Sequence, residues 1–292
     1  MMPVLSLNRP TPVVRAFRSA AIVVVLLAAA FFAIAAAEAR RLRIDRKELV
    51  SPDLPEEFDG ARLVFVADIH AGPHFGKRRI SALIEAVNQL DADVLVLGGD
   101  YVGGRLDGAE AFYPQAARLR ASLGRYAVLG NHDVWEDPDA ARRGLEGAGI
   151  TLLENESVRV SRNGESIVIA GVEDLYTGHP DAEVAGKDLK PSDFSVLVSH
   201  NPDVFGGQLP EMKGIWDLAL SGHTHGGQVT FFGSLMPLTP EWLRKRFRSG
   251  WSYQSGVPVL VSNGVGTVTA PIRFFAEPEI HVITLHCGVH TA

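Results

Sequence analysis

Cysteine is almost missing from this chain: Cys287 is the single example in 292 residues. That rules out an internal disulfide framework, and a lone cysteine in the tail reads as a small apolar filler. An excess of positive charge is missing too. The net charge is −6, so no global basic field draws the chain to long nucleic acid, and no nucleic-acid partner is expected. Internal repeats are absent, as is any low-complexity segment beyond one apolar stretch near the start. What is left is enough length for a full core, read as one catalytic domain with something small attached.

The apolar stretch runs from Ser19 to Ala37 without a charge, close to the ~20 residues a helix needs to cross a bilayer. A cleavable signal sequence competes, since Arg15 and Arg18 precede the run and Ala35-Ala36-Ala37 resembles a cleavage site. The run exceeds the ~7–15 residues of a signal core, which favours a retained anchor. The expected layout is a tail over 1–18, a transmembrane anchor over 19–37, a linker over 38–55 and a catalytic domain over 56–292. Arg40, Arg41, Arg43, Arg46 and Lys47 after the span outnumber Arg9, Arg15 and Arg18 before it. That bias places the domain on the cytoplasmic face of the inner (cell) membrane, as a single-pass protein.

Apolar runs that end in polar clusters then recur. Arg62 to Ala67 reads as a buried strand ending in Asp68-Ile69-His70, and Asp93 to Leu97 as a second closed by Gly98-Gly99-Asp100. Between them, Lys77 to Leu90 has helical spacing, with Ile80, Leu83, Ile84, Val87 and Leu90 on one face. Strand, helix, strand with an acid at each strand end is a βαβ unit, and ligand-binding groups gather at that end. Tyr126–Leu129 and Phe194–Val198 are further strands, ending in Gly130-Asn131-His132-Asp133 and Ser199-His200-Asn201. A last run ending at Leu220 opens into Ser221-Gly222-His223-Thr224-His225-Gly226-Gly227-Gln228. Alternate residues of an extended or turning segment point the same way, so His223 and His225 can aim at one spot. Asn163-Gly164 marks a hairpin. Beyond it the chain is expected to be antiparallel, with Val257–Val261 and Ile280–Leu285 closing the sheets.

Two acids (Asp68, Asp100), one amide (Asn131) and four imidazoles (His70, His200, His223, His225) form a donor set for two divalent cations. Two such ions, ~3.5–4 Å apart, need a shared carboxylate against their mutual repulsion and neutral ligands that leave net positive charge for a substrate. Mixed oxygen and nitrogen donors suit manganese, iron or zinc better than calcium or magnesium. The competing readings are helix caps for Asp68 and Asp100 and an ordinary loop histidine for His200.

Asp68-x-His70, Gly99-Asp100, Gly130-Asn131-His132-Asp133, His200 and Gly222-His223-Thr224-His225, in this order, resemble the calcineurin-like metallophosphoesterase superfamily. The likeness covers roughly Arg62 to Ile283. It implies a four-layer α/β/β/α sandwich of two mixed sheets with the site on loops at strand ends. It also implies one metal on Asp68, His70, Asp100 and His225 and a second on Asp100, Asn131, His200 and His223. Asp100 would bridge them, His132 would sit over the leaving group, and Asp133 would fix the His132 ring. Gly99-Asp100-Tyr101-Val102-Gly103-Gly104 lacks the second acid usual in Ser/Thr protein phosphatases of the superfamily. Gly171-Val172-Glu173-Asp174, Gly226-Gly227-Gln228 and the segment from Asn263 to Ile280 are similar instead to the bacterial membrane-associated branch labelled YaeI- or YkuE-like. Some relatives there cleave the pyrophosphate of a UDP-linked diacylglucosamine in lipid A synthesis.

The expected function is therefore metal-dependent hydrolysis of a phosphodiester or pyrophosphate, on a lipid-linked substrate such as UDP-2,3-diacylglucosamine. The rivals are a nucleotide or nucleic-acid phosphodiesterase of the same superfamily and a membrane-tethered metal-binding protein without catalysis. Candidate substrate contacts are Arg105, Arg273, His74 and His179. Trp242, Leu243 and Phe247 beside Arg244, Lys245, Arg246 and Arg248 read either as an interfacial patch over 242–248 or as a solvated basic helix.

Overall fold

The computed structural model describes residues 11–103, 106–208, 214–231, 234–235 and 248–288. In chain order these form helix α1 (Pro12–Glu38), strands β1 (Arg43–Ser51) and β2 (Arg62–Val66), α2 (Lys77–Asn88), β3 (Val94–Leu97) and α3 (Leu106–Ala116). Next come β4 (Gly124–Ala127), α4 (Asn131–Glu136), α5 (Pro138–Gly147), β5 (Thr151–Leu152), β6 (Glu156–Arg162) and β7 (Glu165–Gly171). The order continues through α6 (Ala182–Ala185), β8 (Ser195–Val198), α7 (Asp203–Gln208) and β9 (Leu218–Ser221). It closes with β10 (Thr230–Phe231), β11 (Ser234–Leu235), β12 (Gly250–Gln254), β13 (Val257–Val261) and β14 (Glu279–Cys287).

The two-residue period of a strand explains the layering. Along β2 and β3, Val64, Val66, Leu95 and Leu97 turn to one side, against Ile80, Leu83 and Ile84 of α2, Phe112 of α3 and Leu145 of α5. Leu63, Phe65, Val94 and Val96 turn to the other, against Ile167, Ile169, Val196, Val198, Leu218 and Leu220. A third apolar seam joins Ala170, Leu197 and Ala219 to Ala182 and Ala185 of α6, Phe205 of α7 and Trp216. Helices, sheet, sheet and helices are thus the four expected layers. The sheets run β1-β14-β2-β3-β4-β5 and β12-β13-β9-β8-β7-β6. Each mixes parallel and antiparallel neighbours. Strands β2, β3 and β4 are mutually parallel, as are β7, β8 and β9, so their carboxyl ends gather side chains from both sheets.

Three expectations need correction. The linker over 38–55 contains β1, which pairs in parallel with β14 from Arg43 opposite Glu279 to Ser51 opposite Cys287. Its sequence is polar because it is an edge strand exposed along much of its length, so apolar spacing gives no signal for it. The chain beyond Asn163-Gly164 is mainly parallel: only β6–β7 and β12–β13 pair antiparallel in the second sheet. Strand direction is not encoded in periodicity, whereas the hairpin turn is, with Asn163 (φ 51°) and Gly164 (φ 96°) both left-handed. Finally, the apolar helix is longer than 19–37, running from Pro12 to Glu38 with Thr11 as its N-cap. It is the one helix among the described residues long and apolar enough to cross a membrane.

The seam between the sheets gives a test. Phe65 is fully buried there, so Phe65→Ala is expected to lower stability by ~3–5 kcal/mol in chemical denaturation. A loss under ~1 kcal/mol would mean that the sheets do not share this core.

Candidate metal centre

Five strand-end loops meet at one point. The turn after β2 delivers Asp68 and His70, that after β3 Asp100, and that after β4 Asn131 and His132. The second sheet contributes His200 after β8 and His223 and His225 after β9. Five of these residues have left-handed backbones: Asp68 (φ 54°), His70 (47°), Asp100 (54°), His223 (69°) and His225 (52°). Such conformations cost on the order of 1 kcal/mol each outside glycine and persist where surrounding contacts enforce them. Here the loops are stitched together: the N–H of Asp68 donates to Gly99 O and that of His70 to Asp100 O, both at 3.0 Å. Glycines leave the room. A Cβ on Gly130 would run into the Asp100 carboxylate, and one on Gly222 into that of Asp68.

The donors form two linked groups. In the first, His70 Nε2 lies 3.0 Å from His225 Nε2, and His225 Nε2 lies 3.7 Å from Asp68 Oδ1. In the second, His200 Nε2 is 3.2 Å from Asp100 Oδ2 and 3.2 Å from His223 Nδ1. Asp100 Oδ2 also stands 3.4 Å from His70 Nε2, so it faces both groups. Ligands ~2.0–2.2 Å from one ion are themselves ~3.0–3.4 Å apart; all of these spacings but the 3.7 Å between His225 and Asp68 fall in that range. Asn131 Oδ1 is buried and meets no hydrogen-bond donor among the described residues, an orphan that a cation would satisfy.

Electrostatics point the same way. Burial lowers His70 to about 4 and His223 to about 3, and pushes His225 well down, so all three offer neutral lone pairs. Burial pushes the Asp68 carboxyl up to about 7, with neighbouring Asp100 adding to the shift. Burial would raise Asp100 as well, but the charge and hydrogen bond of His200 outweigh it and hold Asp100 far below the usual carboxylate range. His200 mirrors this: burial would lower it, yet Asp100 raises it to about 10. His200 Nδ1 is engaged with Gly98 O at 2.8 Å, which leaves Nε2 aimed at the shared point. A proton on His200 and a divalent cation compete for the same electron pairs. Buried carboxylates of this kind are paired or bind metal.

Asp133 does not fix the His132 ring as expected. Its carboxylate accepts from the N–H groups of Asp100 (2.7 Å), Tyr101 (2.8 Å), Gly130 (3.0 Å) and Val102 (3.3 Å). Asn131 starts α4, so Asp133 occupies its third position and points back at the loop. It therefore braces the Gly99-Asp100 and Gly130-Asn131 turns against each other. His132 stands over the site by packing instead, edge-on to His70 (centroids 4.9 Å) and Trp135 (5.2 Å).

Arg273 was expected to face substrate, but it is wholly buried. Its guanidinium donates to the carbonyls of Gly266 (2.7 Å), Asn263 (2.7 Å), Ala276 (2.8 Å) and His225 (3.3 Å). It ties the loops behind the centre together. A positive charge in sequence does not reveal whether carbonyls or a ligand will surround it. His74 and His179 are exposed and line no part of the cleft. Arg105 and residues 242–247 of the basic and aromatic patch lie outside the described residues.

The donors open into a cleft of about 670 Å³ that Trp135, Tyr176, Gln228, Val268 and Thr269 also line. Gln228 came from the sequence only as the end of the motif after β9, and the other four were not singled out. Trp135 had a usable signal, lying three residues beyond His132 on the same face of α4. Tyr176 is held by an Asx turn: Asp174 Oδ2 accepts from the N–H of Tyr176 at 2.9 Å and of Thr177 at 3.0 Å. Its ring stands edge-on to His223, centroids 5.3 Å apart.

The calcineurin-like phosphoesterase family profile matches residues 61–227. The uncharacterized metallophosphoesterase YkuE of Bacillus subtilis (strain 168) is 32% identical over 238 residues, 80% of this chain and 81% of that protein. An uncharacterized metallophosphoesterase of Aquifex aeolicus (strain VF5) is 28% identical over 87% of this chain and 95% of its own length. A transmembrane protein with metallophosphoesterase domain from Danio rerio is 32% identical over 82% of this chain, which spans 56% of that protein.

The role found for Asp133 is testable. Asp133→Asn turns an amide NH2 toward backbone donors and is expected to cost ~1–3 kcal/mol of stability. His132→Ala is expected to cost under ~0.5 kcal/mol. Equal costs in denaturation would mean that Asp133 does not brace the loops.

Proposed function

This chain belongs to the calcineurin-like phosphoesterase family and is a metal-dependent phosphoesterase; we propose that its substrate is a lipid-linked phosphodiester or pyrophosphate, such as UDP-2,3-diacylglucosamine. One divalent ion would be held by Asp68, His70, Asp100 and His225, and a second by Asp100, Asn131, His200 and His223. Manganese, zinc and iron suit this mixture of imidazole and oxygen donors. The observation that carries the reading is the place of Asp100 Oδ2, 3.4 Å from His70 Nε2 and 3.2 Å from His200 Nε2. Bound there, the ions would make water acidic enough to attack phosphorus at neutral pH and would offset phosphoryl charge.

The chain's own residues do the rest. His132 lines the cleft beside His70, where its ring can deliver a proton to the departing oxygen. Asp133 keeps the Asp100 and Asn131 turns in register. The exposed rings of Trp135 and Tyr176 flank the opening and suit a flat group such as the base of a nucleotide-linked lipid. That same feature favours a soluble nucleotide diester as the second reading. The apolar helix and the basic residues after it support a single-pass protein of the inner membrane with a cytoplasmic domain.

Purified full-length protein assayed with defined manganese, zinc or iron against UDP-2,3-diacylglucosamine, cyclic nucleotides and DNA decides between them. The lipid is expected to turn over fastest; preference for a cyclic nucleotide would transfer the assignment to the second reading. Asp100→Ala is expected to lower kcat by ~10³ or more and to reduce bound metal below two ions per chain by elemental analysis. His132→Ala is expected to cost ~10²–10⁴ in kcat with an alkoxide leaving group and far less with nitrophenolate. The same loss for both leaving groups would exclude proton delivery by His132.

A further inference from the structure

The last turns of α1 are built into the catalytic domain rather than joined to it by slack chain. Ala35 and Ala39 are buried. The carbonyl of Ala35 accepts from the N–H of Arg273 at 3.0 Å, and that of Ala39 from Arg79 Nη2 at 2.9 Å. The N–H of Ala276 donates to Glu38 Oε1 at 3.0 Å, and Phe31 packs edge-on to Phe274, centroids 5.0 Å apart. Removal at Ala35-Ala36-Ala37 would take away part of this contact, which supports retention of the helix. Upstream the helix is exposed, as at Ile22 and Leu27.

A helix this apolar leaves the bilayer at its C-terminal end, so whatever grips that end sits at the lipid boundary. The gripping segment is also a wall of the metal cleft. Val268 and Thr269 line the cleft, and Arg273 to Ala276 hold the helix. Gln228, another cleft residue, clamps the segment from within. Its Nε2 donates to Val268 O at 2.9 Å, its Oε1 accepts from the Val268 N–H at 2.8 Å, and its carbonyl accepts from the Phe274 N–H at 2.9 Å. Around this strap stand the signs of an interface: Phe275 is exposed, as are Arg40, Arg41, Lys77 and Arg78. Aromatic and basic groups together favour the headgroup layer.

We propose that the mouth of the metal cleft opens onto the bilayer surface beside Val268 and Thr269, so that the enzyme works on an amphiphile resident in its own membrane. The strap from Val268 to Ala276 fixes the cleft at one end and the anchor at the other. The phosphoryl group of such an amphiphile enters the cleft while its acyl chains stay in the leaflet. This rests on the phosphoesterase reading of the site and adds how the substrate arrives.

The test uses full-length protein in vesicles of phosphatidylethanolamine and phosphatidylglycerol, loaded with manganese. Two probes share a leaving group: dioleoylglycerophospho-p-nitrophenol in the bilayer and bis-p-nitrophenyl phosphate in water. The lipid probe is expected to turn over about tenfold faster in the enzyme's own vesicles than in separate ones, because confinement raises effective concentration. Phe275→Asp is expected to lower the lipid rate about tenfold while the soluble rate stays within about twofold. Equal rates in shared and separate vesicles would overturn the proposal. A fluorophore on Phe275→Cys in a Cys287→Ser background gives a readout independent of activity. Quenching by a nitroxide on the lipid headgroup is expected, and its absence would overturn the proposal. No turnover of bis-p-nitrophenyl phosphate by the wild type would count against the phosphoesterase reading alone, since quenching still reports the docking.

Discussion

Imidazole nitrogens and carboxylate oxygens rest 3.0 to 3.4 Å apart in a buried place only where a proton or a cation lies between their lone pairs. His70 faces His225 at 3.0 Å, and Asp100 faces His70 at 3.4 Å and His200 at 3.2 Å. That requirement governs the centre of this fold. Each neutral imidazole brings one proton, yet His200 directs Nδ1 at Gly98 O and Asn131 Oδ1 meets no donor among the described residues, so two carboxylates and four imidazoles leave electron pairs that these protons do not cover. Divalent cations meet the demand, and the family's phosphoesterase chemistry follows from having them there.

Holding the donors in place is costly, and the surroundings show how that cost is met. Left-handed backbones at Asp68, His70, Asp100, His223 and His225 are enforced from three directions. Asp133 gathers four backbone N–H groups on one side. Arg273 gathers carbonyls behind the centre. Glycines 130 and 222 admit the two carboxylates at distances no side chain would allow. Asp133 and Arg273 are buried charges: the partners of Asp133 are backbone N–H groups, and those of Arg273 are backbone carbonyls together with Nδ1 of His225 at 3.3 Å. Their role is geometric, and it frees His132, Trp135 and Tyr176 to face the cleft.

The convergence of Asp68, His70, Asp100, His200, His223 and His225 was legible in the sequence because each follows a short, continuous apolar run such as Leu63–Val66 or Val94–Leu97. Strands of that kind are buried on both faces and must release their polar residues at the ends. The layering was legible for the same reason. Strand β1 was not, since an edge strand paired to β14 is specified by its partner rather than by its own alternation. The direction of β8, β9 and β13 was equally silent, because parallel and antiparallel burial leave the same apolar runs. Asp133 and Arg273 were misassigned because residue type tells chemistry but not heading: one was turned by the start of α4, the other by a ring of carbonyls. Tyr176 and Thr269 reach the cleft from loops whose course no periodicity records.

The most direct measurement is anomalous X-ray scattering from crystals of the full chain soaked with manganese or zinc. The account predicts two peaks ~3.5–4 Å apart with Asp100 between them. One should be flanked by Asp68, His70 and His225, the other by Asn131, His200 and His223. Peaks elsewhere, or no ordered metal at Asp100, would contradict it.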